Sequence, residues 1–99
     1  MQEKNHSSGI PAPNYTQIPN VVLDYWPNVL NFLEFRILLF VCRSMFGWPC
    51  QEPSFEDICN AITAPLETLE AGLCRLEHIG LIEYEGDCYR LIISEEEQI

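Results

Sequence analysis

Apolar residues recur along this chain with two different periods, and the breaks between the periodic stretches fall at residues that start or stop helices. The longest run holds Phe32, Leu33, Phe35, Ile37, Leu38, Leu39, Phe40, Val41 and Met45. It is apolar on nearly every side, which predicts a helix buried almost all round. Asn31 and Glu34 form a capping pair at its start, because the Asn side chain accepts an amide hydrogen bond while the carboxylate reaches back. The helix is expected to run to about Met45. Ser54 and Asp57 repeat the arrangement ahead of a short second helix, in which Ile58, Ala61 and Ile62 share one face. Pro65 has no amide proton and suits a first helical position, so Thr63 or Ala64 is expected to cap a third helix that Pro65 opens. Leu66, Leu69, Leu73 and Leu76 draw one apolar stripe along it, and Gly80 stops it in a conformation with φ > 0. Upstream, Asn20 is expected to cap a short helix from Val21 to Trp26 that Pro27 interrupts.

After Gly80 the helical period gives way to aromatic and β-branched runs. Leu81-Ile82-Glu83-Tyr84 and Cys88-Tyr89-Arg90-Leu91-Ile92-Ile93 flank Glu85-Gly86-Asp87, which signals a hairpin. The hairpin either acts as a wing or only covers the core. The expected fold is mainly α with a small β-hairpin, of the α+β class, in the form of a winged helix-turn-helix. Residues 1–13 read as a flexible N-terminal tail, 14–93 as the winged-helix domain and 94–99, with Glu95-Glu96-Glu97, as an acidic C-terminal tail.

Four segments carry a resemblance. Tyr15-Thr16-Gln17-Ile18-Pro19-Asn20, then Glu34 to Leu39, then Arg43-Ser44-Met45-Phe46-Gly47-Trp48, and Leu76-Glu77-His78-Ile79-Gly80-Leu81-Ile82 resemble the N-terminal winged-helix domain of phage and plasmid replication initiators. The similarity covers residues 14–93, and its first and third segments are the specific ones. It implies an origin-binding domain whose second motif helix enters the DNA major groove. Members of that family usually have a Thr-Gly-Leu-Ser type of turn followed by basic and hydroxyl residues. Here the turn is Ile62-Thr63-Ala64-Pro65, and the outward positions are Glu67, Thr68, Glu70, Ala71 and Cys74. Glu67, Glu70 and Glu77 lie within roughly 80° of one another on the helix surface. The hairpin adds Glu83, Glu85 and Asp87.

Charge turns this departure into a functional argument. Five Lys and Arg residues face fifteen Asp and Glu in 99 residues, for a net charge of −10. A strong duplex binder neutralises about six to ten phosphates with cations. This chain has too few, and Lys4, Arg36, Arg43, Arg75 and Arg90 are scattered along it. With 47% hydrophobic residues the charge decorates a packed protein rather than a disordered one. It repels nucleic acid and anionic membranes and steers towards basic partners.

Other chemistry finds little support. The five cysteines are odd in number and dispersed, which fits neither a disulfide framework nor a metal motif and suggests a reduced, cytoplasmic setting. Cys42 and Cys59 are expected to behave as small buried apolar residues. No basic segment followed by an apolar run marks a signal peptide, and Ile37 to Cys42 is far too short to span a bilayer. His6 and His78 read as surface residues. No metal ligand set, cofactor motif or catalytic order appears, so an enzyme is not expected.

The favoured expectation is a binding module that meets a basic protein surface through Glu67, Thr68, Glu70, Ala71, Cys74, Glu77, Glu83, Glu85 and Asp87. Its anions could imitate phosphates and make it a DNA-mimic inhibitor of a nucleic-acid-handling complex. The alternative is the DNA-binding domain of a replication initiator or transcriptional regulator, and a small enzyme is the third class. Any apolar remainder of the long helix would serve a homodimer or a partner.

Overall fold

The computed structural model describes residues 17–47 and 50–93. The two tails, Tyr15-Thr16 and Trp48 therefore lie outside the described residues. The elements follow in the order α1 (Asn20–Asp24), a 3-10 turn (Trp26–Asn28), α2 (Phe32–Phe46), α3 (Phe55–Ala61), α4 (Leu66–Ile79), β1 (Ile82–Glu85) and β2 (Cys88–Leu91). This is a mostly helical α+β fold with one antiparallel two-stranded sheet.

Both predicted capping boxes are present. The Asn31 side chain accepts from the Glu34 amide at 2.8 Å and Glu34 Oε1 accepts from the Asn31 amide at 3.0 Å. The Ser54 hydroxyl accepts from the Asp57 amide at 3.1 Å, and the Asp57 carboxylate accepts in return at 3.0 Å. At Gly80, φ is 94°, and Leu81 and Gly80 donate back to the carbonyls of Leu76 and Glu77 at 3.0 Å each. That pair of bonds is a Schellman stop and satisfies two otherwise unpaired helix-end carbonyls.

Two starts differ from expectation. Asn20 is the first helical residue and makes no cap; the Pro19 carbonyl accepts from the Val22 amide at 3.0 Å instead. Likewise Pro65 is the cap of α4 and not its first helical residue, with its carbonyl accepting from Thr68 and Leu69 at 3.0 and 3.1 Å. A proline fits either place, because its φ is compatible with both and its missing amide proton is not needed in either.

The core gathers Ile37, Leu38, Val41 and Cys42 of α2, Ile58 of α3, Leu69, Leu73 and Leu76 of α4, and Ile62, Ile82 and Leu91. α2 and α4 approach closely where α4 has Gly72: a Cβ there would stand 3.0 Å from Ile37 Cδ1. α2 is not buried all round. Phe32 is 80% exposed, and Arg36 and Arg43 hold the same side of the helix open to solvent. Leu66, the first residue of α4, also leaves the predicted stripe, at 54% exposure.

In the hairpin, Ile82 pairs with Leu91, Glu83 with Arg90, Tyr84 with Tyr89 and Glu85 with Cys88. Gly86 and Asp87 both have positive φ, 63° and 66°, the requirement of a two-residue type I′ turn whose twist matches the strands. The second strand stops at Leu91, earlier than the predicted Ile93, although Ile92 still donates to the Leu81 carbonyl at 2.9 Å. On the other edge of β2, Ser54 bridges Cys88 and the Tyr89 amide donates to the Pro53 carbonyl at 2.8 Å. The start of α3 is thereby fastened to the hairpin.

Candidate functional site

α4 positions six of the nine expected contact residues. Glu67, Thr68, Glu70, Ala71, Cys74 and Glu77 are all exposed. At about 100° per residue they divide into two strips. Glu67, Glu70, Cys74 and Glu77 line one, and Thr68 and Ala71 share the other with Arg75 and His78. Arg75 is drawn towards α2, where its guanidinium lies 3.3 Å from Glu34 Oε2. The acidic strip instead borders the hairpin. Burial first, and then neighbouring groups led by the Glu77 carboxylate and including Tyr84 and Glu70, push the Tyr89 hydroxyl above its ordinary pKa.

The hairpin does not add its carboxylates to the same place. Side chains alternate across a strand, so Ile82, Tyr84, Tyr89 and Leu91 share the core-facing side while Glu83, Glu85, Cys88 and Arg90 share the other. Ile82 and Leu91 are buried at one end. At the other end the Tyr84 and Tyr89 rings pack with centroids 4.7 Å apart, and the Tyr84 hydroxyl donates to Asp87 at 3.3 Å. Partial loss of solvent and then the Asp87 charge raise the Tyr84 pKa.

On the opposite side Arg90 is surrounded by three carboxylates. Its Nε donates to Glu83 at 2.7 Å, a terminal nitrogen bonds Glu85, and another stands 3.7 Å from Glu52. The Glu83 hydrogen bond and the Glu85 charge raise the Arg90 pKa further, so it stays a cation. Glu83 and Glu85 thus face away from the tyrosine pair and are partly neutralised, whereas Asp87 joins the tyrosine side.

Sequence reasoning missed that Tyr84 and Tyr89 pack together on one side of the hairpin. The alternation from Ile82 to Glu85 carries that signal, but only once the strand register is known.

The cysteines divide as their surroundings dictate. Cys42 is buried and its thiol is pushed up to about 11 by desolvation. Cys59, expected to be buried, is only half-buried against the core, while Cys50 and Cys74 are exposed. Among the described residues no group of His, Cys, Asp and Glu is arranged to hold a metal ion, and no helix is long and apolar enough to cross a membrane.

A cleft of about 640 Å³ lies between α1 and the end of the hairpin, lined by Val21, Tyr25, Trp26, Leu81, Ile92 and Ile93 among others. It holds no titratable pair suited to proton transfer. No family model, curated protein or solved structure matches the chain.

Proposed function

We propose that this chain is an acidic winged-helix binding module, of phage or mobile-element origin, that docks on a basic protein surface. The observation that carries the reading is the strip of Glu67, Glu70 and Glu77 on the exposed side of α4. No Arg or Lys interrupts it, since Arg75 turns to Glu34 on another side of the helix. The order α2, Ser54 bridge, α3, α4 and hairpin supports the winged-helix form. In that form α4 is the helix that would enter a groove, and here it presents anions. Long-range attraction then selects a cationic partner. Where that partner is a nucleic-acid-handling protein, the strip takes the place of phosphates and the module is an inhibitor.

The test is capture of partners on the immobilised protein at low and moderate salt, beside the Glu67→Lys/Glu70→Lys variant. A direct titration with duplex DNA by fluorescence anisotropy accompanies it. Binding of a basic protein that weakens with salt and falls at least about tenfold in the variant, a loss of about 1.4 kcal/mol, supports the reading. Micromolar or tighter binding to the duplex at low salt would instead favour a DNA-binding domain of an initiator or regulator.

A further inference from the structure

The tyrosine side of the hairpin carries an aromatic surface that the fold leaves open. Tyr84 and Tyr89 face each other across the two strands, with ring centroids 4.7 Å apart and planes tilted by 46°. Tyr89 is the inner ring, packed against the core, while Tyr84 is the outer one and 49% exposed. The turn fixes what lies at its rim. Asp87 takes φ 66° at the hairpin tip, and one of its carboxylate oxygens accepts from the Tyr84 hydroxyl at 3.3 Å. That bond orients the ring and keeps an anion beside it, with the second oxygen left to accept from another donor.

An aromatic face attracts a cation through its quadrupole, and a carboxylate at the rim adds a charge-assisted hydrogen bond. The described arginines lie elsewhere. Arg90 is held by Glu83 and Glu85 on the opposite side of the strands, Arg75 by Glu34 at α2, and Arg36 and Arg43 line a cleft between α2 and α3. The field on the tyrosine side is negative: after burial, Glu77 leads the charges that raise the Tyr89 hydroxyl and Asp87 those that raise Tyr84. A guanidinium suits such a place better than an ammonium, because it is planar and weakly hydrated and can stack on a ring while its nitrogens bond a carboxylate.

We infer that the Tyr84 ring and the Asp87 carboxylate form a seat for an arginine side chain of the basic protein partner, the guanidinium lying on the exposed ring face and donating to Asp87. This inference rests on the proposed docking to a basic surface, and it names the group that surface must present. Two contributions then separate. The α4 carboxylates attract any cation at long range, whereas the ring distinguishes a guanidinium from an ammonium.

Titration of the whole chain, its tyrosine rings isotope-labelled for NMR, tests the seat at low salt. The probes are short capped peptides rich in arginine, in lysine or in citrulline, which keeps the shape of arginine without its charge. The expected result is saturable shifts of the Tyr84 ring signals with the arginine peptide, at least about threefold weaker binding of the lysine peptide, and no binding of the citrulline peptide. Tyr84→Leu, a change at an exposed position, is expected to weaken arginine binding at least about threefold and to erase the preference over lysine. Tyr84→Phe keeps the ring face and therefore keeps the preference. Circular dichroism confirms that each variant is folded.

Equal binding of the arginine and lysine peptides, citrulline binding as tight as arginine, or a folded Tyr84→Leu variant that retains the preference would each overturn the inference. If arginine binding survives Tyr84→Leu unchanged but is lost in Glu67→Lys/Glu70→Lys, the aromatic seat alone falls. If neither change weakens it, the acidic-strip reading falls as well.

Discussion

A carboxylate 5% exposed is destabilising unless its oxygens are engaged, and Glu34 engages both. One oxygen closes the α2 capping box and the other meets Arg75 across 41 residues of sequence. The capping role was legible from Asn31 and Glu34 alone. The ion pair was not, because Arg75 in sequence is one cation among scattered others and only tertiary packing brings it to α2. Cys42 gives the matching case for a neutral group. Burial pushes its thiol from the ordinary 9.0 up to about 11, so the protonated thiol is favoured by folding. The resulting stability is fully present below about pH 9 and is lost as pH rises through about 11. Alkylation near pH 8 followed by mass spectrometry should label exposed Cys50 and Cys74 first and leave Cys42 untouched until the protein unfolds. Thermal melts should hold steady to about pH 9 and fall above it.

At the scale of elements, local chemistry was read well wherever a helix end is specified by neighbours in sequence. Ser54→Ala removes the hydroxyl that accepts from the Asp57 amide, and caps of this kind contribute about 1 kcal/mol. Ser54 also sits in the bridge to Cys88. The substitution keeps the backbone pairing, so urea unfolding should show a loss of about 1 kcal/mol with an unchanged m-value. The misplaced starts at Asn20 and Pro65 arose where a proline competes with a capping side chain, a choice that propensity does not decide. Leu66 went astray for another reason: helical spacing assigns it to the apolar face, but nothing in the sequence tells where the covering elements end. The same limit hid the open side of α2, which the apolar count made look buried although Arg36 and Arg43 mark it.

On the whole molecule, fifteen carboxylates against five Lys and Arg make the folded state repel itself. Arg75 offsets the buried Glu34 and Arg90 relieves this locally by gathering Glu52, Glu83 and Glu85, but exposed pairs like those of Arg90 are weak. Screening should therefore stabilise the fold. In dilute solution, moving from about 0.01 M to about 0.15 M salt shortens the reach of the repulsion from about 30 Å to about 8 Å. Tm should rise by a few degrees, each kcal/mol being worth roughly 4–8 °C at this size. A fall in Tm over that range would mean that the ion pairs outweigh the repulsion. The candidate contact residues on α4 were legible as outward positions because helical geometry is regular. How the hairpin turns its two sides was not, since that depends on which residue pairs with which.

The pairing of Ile82 with Leu91 and of Glu83 with Arg90 makes the hairpin a two-sided latch. Its side chains alternate, so sliding β1 by one residue would drive a carboxylate into the greasy interior and strand Ile82 in water, and sliding β2 would do the same with the Arg90 guanidinium and Leu91. Lengthening the Gly86–Asp87 tip by one residue is thus no harmless insertion: it works like a frameshift, and the error would be felt at the far end of the ribbon.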